Sequence, residues 1–318
     1  MSAGGAPVNP LELRLGIVSR TATYWPLYLA EDDGLFAREG LAAELEVLGG
    51  TSAGVAALLD ARVDVAATCP DAVIEAIERG APLAIAGGLV DAPVASLVAR
   101  ADVADIAALR GRRVAFTEAR GSVSLFLRAL LRRHGLGEND YAAMVCGTTP
   151  AQAEALAAGK VDAAMLTHPF DAALLARGLR RLAHVGEELG PCAFTTLNVR
   201  RGWTTDATWP RLRAALDAAV SRLRDRSRRA ASLDVLARAT DVERSALGDT
   251  YERCVAEGAL ARDAAVDRGG LSRLLALMRA EGHAISTDAG TYLERAPQAR
   301  SSRKGRSAES AERARFET

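Results

Sequence analysis

Val63-Asp-Val-Ala-Ala-Thr-Cys-Pro70 and Val161-Asp-Ala-Ala-Met-Leu-Thr-His-Pro169 are two versions of one passage. Each follows a helical stretch that opens on glycine and hydroxyls, Gly50-Thr51-Ser52 in the first case and Gly147-Thr148-Thr149-Pro150 in the second. An apolar run too short for a helix, closed by a proline, reads as a buried strand leaving its sheet. The two copies lie too far apart for a solenoid, whose repeats run roughly 20–50 residues. They suit one supersecondary unit used once in each of two similar lobes.

Working outward from the first copy, residues 11–19 alternate as a strand, 25–36 read as a helix with Pro26 in its first turn, and 40–48 read as a strand. Helix 52–59, strand 63–68, helix 70–78 and strands 83–87 and 94–99 complete the run. Around the second copy the order starts again, with strand 113–117, helix 122–134, strand 142–146, helix 150–158 and strand 161–166. Strands alternating with helices predict a mostly parallel sheet covered on both faces, so the fold class is α/β. From Trp203 the pattern turns helical, over 209–226, 232–239, 245–257 and 270–281. Beyond Arg295 almost nothing is apolar, and residues 296–318 are expected to be a disordered tail.

Lysine plus arginine number 40 and aspartate plus glutamate number 40, so no global field draws the chain to nucleic acid. No apolar run reaches the roughly 18 residues of a membrane span. Cys69, Cys146, Cys192 and Cys254 are widely spaced without metal-ligand histidines, and read as small buried thiols. The start as given shows no basic or apolar signal region. The protein is therefore expected in the periplasm or at the cell surface if that start is trimmed or misplaced, and in the cytoplasm if it is complete.

The stretch Tyr24-Trp-Pro-Leu-Tyr-Leu-Ala-Glu-Asp-Asp-Gly-Leu-Phe-Ala-Arg-Glu-Gly-Leu41 resembles the opening of the sulfonate, nitrate, taurine and thiamin-precursor binding proteins. Leu59-Asp-Ala-Arg-Val-Asp-Val-Ala66, Leu109-Arg-Gly-Arg-Arg-Val-Ala-Phe116, Ala158-Gly-Lys-Val-Asp-Ala-Ala164 and 260–271 are similar to that family in the same order. Ala61 stands where most relatives carry glycine. The resemblance implies a two-lobed type II periplasmic binding protein-like fold with a C-terminal helical segment. It places residues 1–10 as an extension, 11–94 with 195–295 in one lobe, and 95–194, hinge strands included, in the other. It implies a small-molecule ligand and an ABC transporter permease as partner; no nucleic-acid partner, no membrane insertion and no cofactor are expected.

Ligands of open α/β sheets sit beyond the strand ends at helix mouths. Thr51, Ser52, Gly121, Ser122 and Thr148 are expected there to hold the polar end of a small anion, or simply to cap their helices. Tyr24 and Trp25 are expected to cover a flat or apolar ligand face, with Trp25 as a core anchor the competing reading. Cys69 and His168 end the echoed strands and would face each other across the cleft. No HExxH, GxSxG, Walker A or complete GxGxxG motif occurs. Two other classes stay open: a cytoplasmic enzyme of this fold, with Cys69, Cys146 and His168 as nucleophile and base, and a cytoplasmic ligand sensor. The arginine-rich 222–229 is then a partner surface or a solvated helix face.

Overall fold

The computed structural model describes residues 9–118, 122–205 and 207–294. The first sheet is built from β1 (Leu11–Ile17), β2 (Leu41–Val47), β3 (Val65–Thr68), β4 (Leu83–Val90) and, from much later in the chain, β10 (Thr195–Arg200). Its order is β2-β1-β3-β10-β4. The second sheet takes β5 (Ala95–Ala99), β6 (Arg113–Phe116), β7 (Ala142–Val145), β8 (Ala163–Thr167) and β9 (Arg180–His184) in the order β7-β6-β8-β5-β9. The two orders are one pattern repeated. Counting only the parallel strands of each sheet in chain order, β1, β2 and β3 in one and β6, β7 and β8 in the other, the first pairs with the second and the third, as in Leu15 with Val65 and Val114 with Ala163. In each, an antiparallel strand lies against the third, β10 in one and β5 in the other.

Helices α1 (Trp25–Asp32), α2 (Leu35–Arg38), α3 (Thr51–Leu59) and α4 (Asp71–Glu78) join the first four strands. The second half uses α5 (Ser122–Arg133), α6 (Thr149–Ala157), α7 (Phe170–Leu175) and α8 (Val185–Leu189). The helix expected over 25–36 is broken because Gly34 takes a left-handed conformation, φ +64°. After β10 come α9 (Thr208–Arg224), α10 (Arg229–Thr240), α11 (Gly248–Tyr251) and α12 (Arg268–Ala280), as the helical reading of this segment anticipated. The helix expected over 245–257 is shorter, because after Tyr251 the backbone widens into a π turn at Glu252–Ala256. The end of this segment comes back to β4, where Ile85 bridges Leu293 and Val90 bridges Leu260.

The two echoed passages fold alike in detail. Asp64 accepts from the Arg14 backbone N–H at 3.0 Å, from Nε at 3.1 Å and from Nη2 at 2.7 Å. Asp162 accepts from the same three donors of Arg113, at 2.9, 3.1 and 3.1 Å. Each aspartate fastens the start of its third strand to the first. The apolar side chains around them repeat too: Leu58, Val63 and Ala66 cluster on one sheet, Leu156, Val161 and Ala164 on the other. A larger core runs through both halves, from Leu13 and Ile17 to Leu125 and Met165.

The arginines at 222–229 are a solvated face only in part: Arg226 is exposed. Arg222 and Arg228 both pair with Asp33 at the end of α1, and Arg229 lies over the Tyr251 ring, so they tie the C-terminal helices to the first lobe. No described helix is long and apolar enough to cross a membrane. Among the described residues none of the four cysteines forms a disulfide.

Candidate functional site

The carboxyl ends of the first and third strands of both sheets turn towards one cavity of ≈ 40 Å³. Since one water needs about 10–15 Å³ by this measure, the cavity holds a few waters and admits a solute only if its walls part. Tyr24, Thr51 and Cys69 line it from the first lobe, and Thr117, Glu118, Thr148, Thr149 and Thr167 from the second. Phe194 and Thr195 close it where the chain returns to the first sheet.

Among the described residues, hydrogen bonds cross between the lobes at this cavity. Ala22 N–H donates to the His168 carbonyl at 2.8 Å. Glu118 reaches from the end of β6 to the mouth of α3, where Oε1 accepts from the Thr51 backbone N–H at 3.0 Å and Oε2 from the Ser52 hydroxyl at 2.8 Å. The free N–H groups and positive end of the helix dipole favour a carboxylate there. A Cβ on Gly50 would stand 2.8 Å from Glu118 Oε1, so glycine is what leaves the carboxylate room. The Ser124 hydroxyl donates to the Glu118 carbonyl at 2.6 Å and holds its backbone at the wall.

Elsewhere the wall satisfies itself with hydroxyl pairs, Thr21 with Thr23 at 2.6 Å and Thr149 with Thr167 at 2.9 Å. The Tyr24 hydroxyl accepts from Val18 N–H at 3.3 Å, and burial pushes its pKa up, so it stays protonated. Asp71, the first residue of α4, is only 5% exposed. Burial, reinforced by the nearby Glu75 and Glu118 carboxylates, pushes its carboxyl up to about 7.

Of the residues expected at the site, Tyr24, Thr51, Cys69 and Thr148 are brought together on the cavity wall, and Ser52 sits at its rim, bonded to Glu118. Gly121 and the Ser122 side chain lie outside the described residues; the Ser122 backbone opens α5. Trp25 does not cover the cavity. It is fully buried, donates Nε1–H to the Ser232 carbonyl at 3.0 Å and meets the Tyr251 ring edge-on at 6.0 Å, so it anchors the C-terminal helices to α1.

His168 does not face Cys69 across the cleft either. Its ring is fully buried behind the wall, with Nδ1 2.6 Å from Asp171 Oδ1 and Nε2 3.4 Å from His184 Nε2. Burial alone would raise Asp171, but His168, a 2.7 Å bond from the Ser96 hydroxyl and the nearby Arg181 hold it down at about 2. With both ring nitrogens engaged, His168 is not the base of a thiol pair with Cys69 or Cys146. Glu118 is the site residue that sequence reasoning passed over. Its only signal was an acid at a strand end, three residues before the Gly121-Ser122 pair that drew attention.

Residues 21–211 match the family model described as NMT1/THI5 like. No curated protein matches the chain. Among solved structures, the alkanesulfonate-binding protein SsuA from Xanthomonas axonopodis pv. citri, bound to MOPS, is 22% identical with a TM-score of 0.75, over 91% of this chain and 100% of that one. The periplasmic aliphatic sulphonate binding protein SsuA from Escherichia coli is also 22% identical, with a TM-score of 0.70 over 89% and 97%. The desulfurization enzyme DSZB is 19% identical, with a TM-score of 0.59 over 85% and 92%. Likeness at these identities establishes the two-lobed fold, which binding proteins and an enzyme share.

Proposed function

We propose, from the premise that the chain belongs to the NMT1/THI5-like family, that it is a solute-binding protein that clamps a small molecule between its lobes and hands it to an ABC-type permease. The observation that carries this reading is the shared cavity: both lobes supply its walls, and only a few waters fit while the lobes are drawn together. Contacts such as Glu118 to Thr51 and Ser52 are easily exchanged for contacts to a guest when the hinge opens. Tyr24, Thr51, Ser52, Cys69, Thr148 and Glu118 form the ligand site in this account. Delivery to a permease places the working protein outside the cytoplasmic membrane.

The enzyme reading has one observation in its favour, a thiol, Cys69, on the cavity wall. Against it stands the histidine committed to Asp171 and His184.

A thermal-shift screen of small solutes tests the proposal, since a compound that binds only the native state raises Tm with concentration. Thr148→Trp fills the half-buried cavity mouth and is expected to stay folded while losing every such shift. A shift that survives the tryptophan, or a compound that is consumed rather than bound, rejects the binding-protein reading.

A further inference from the structure

Beside the cavity, the second lobe and the C-terminal helices exchange charged side chains. From the second lobe, Arg181 of β9 donates Nη2–H to Asp249 Oδ2 at 2.8 Å. In return, Arg253 donates Nη1–H to Glu187 Oε1 on α8 at 2.7 Å. Asp249 Oδ1 also stands 3.4 Å from Arg253 Nε, and Asp171 Oδ2 stands 3.6 Å from Arg181 Nη2. Charges therefore alternate along one chain, from Asp171 through Arg181, Asp249 and Arg253 to Glu187.

Both sides of this chain are anchored. Asp249 and Arg253 flank Tyr251, whose ring meets Trp25 of α1 edge-on at 6.0 Å and whose hydroxyl donates to the Leu223 carbonyl at 2.9 Å. They therefore move with the first lobe. In the second lobe Asp171 is fully buried and held by His168 and Ser96, which fixes the place of Arg181. The Arg253 and Arg181 side chains are only 16% and 24% exposed, so solvent screens them less than it screens a surface pair. Burial alone would raise Asp249, but the bond from Arg181 and the nearby Arg253 hold it low. The bond from Arg253 does the same for Glu187. Among the described residues that line the cavity, none belongs to this chain. Parting the cavity walls to admit a solute would nonetheless pull Arg181 from Asp249 and Arg253 from Glu187.

We infer that these ion pairs are a latch outside the ligand site: they hold the lobes together with or without a solute, set how much of the empty protein stands closed, and slow entry and exit alike. The inference rests on the clamp reading above and adds its regulation.

Spin labels at Arg62→Cys and Lys160→Cys, exposed and on opposite lobes, in a Cys146→Ser background read the distance between the lobes with no solute added. Glu187→Lys with Asp249→Lys sets like charges against both arginines, and a population displaced by more than about 2 Å is expected to become the larger one. Glu187→Gln with Asp249→Asn keeps both sizes and is expected to lower the closed-to-open ratio roughly 2–10-fold; it decides the matter if the double lysine variant does not fold. Sodium chloride at about 1 M shortens the Debye length to about 3 Å, so it should loosen the native lobes and draw the double lysine variant back towards them. Variants that lower Tm while the lobes keep the native distance overturn the inference, because charges that only brace the helices would act in that way. Salt that brings the two distributions no nearer each other overturns it too. Thr148→Trp separates the latch from the clamp: wedged into the cavity, it should displace the lobes with every ion pair in place. Lobes moved by the wedge and not by the charge variants leave the clamp standing without a latch, whereas a wedge that moves nothing fails the clamp reading itself.

Discussion

The two lobes agree at one end of their third strands and part at the other. At the start of β3 and β8, Asp64 and Asp162 are held by the same three donors of Arg14 and Arg113. At the far ends, Cys69 lines the cavity while His168 is withdrawn into a buried pair with Asp171. The aspartates that follow differ as sharply, since Asp71 is pushed up to about 7 and Asp171 is held at about 2. Both sheets need the same register lock, so that end repeats; the cavity end is where each lobe carries its own chemistry.

The largest effect expected from this contrast comes from truncating the two strand ends. His168→Ala leaves the buried Asp171 charge without its main partner and should cost about 3–5 kcal/mol in urea unfolding. Cys69→Ala should cost about 1 kcal/mol or less. Equal costs would mean that the lobes do not differ as described.

A second contrast is the pH dependence of the two aspartates. Asp71 has a folded-state pKa above its unfolded value, so its contribution to stability is full below pH about 4 and is lost as pH rises through about 7. Asp71→Asn should therefore gain about 4 kcal/mol over the native chain at pH 8 and nothing at pH 4. Asp171 has the opposite sign: its contribution is present above pH about 4 and is lost as pH falls through about 2. Urea midpoints of each asparagine variant across this range would separate the two.

The smallest effect sits in the turns that lead into the shared passage. Ala61 is forced to φ +54° where its counterpart, Gly159, adopts φ +68°. Ala61→Gly should stabilise by about 1 kcal/mol, because a Cβ is strained in the left-handed region. Gly159→Ala should destabilise by at least as much, since its new Cβ would also stand 3.0 Å from Arg100 Nη1. Melting temperatures that move the same way in both would break the equivalence of the turns.

The duplication was legible because it is written in short-range pattern: an aspartate, a buried apolar run and a proline, preceded by a glycine-opened helix. Ala61 announced itself in the same way, as a residue standing where similar sequences carry glycine. Strand β9, Arg-Arg-Leu-Ala-His, was not legible, since it shows no alternation and becomes a strand only by pairing with β5. The short helices α7 and α8 were missed because five or six residues carry too little period. The residues expected at helix mouths and strand ends include Thr51, Cys69 and Thr148, which line the cavity. The same expectation misplaced Trp25 and His168 because their surroundings come from elsewhere in the chain, Ser232 and Tyr251 for one, Ser96 and His184 for the other. Glu118 escaped because its partners, Thr51 and Ser52, belong to the opposite lobe.

Distances between the lobes provide the most direct test. With Cys146 replaced by serine, spin labels at Arg62→Cys and Lys160→Cys, both exposed and on opposite lobes, report how far apart the lobes stand. The compound with the largest saturable rise in Tm should narrow the distance distribution and move its centre by more than about 2 Å. Tight binding of that compound with an unchanged distribution would contradict a ligand held between moving lobes.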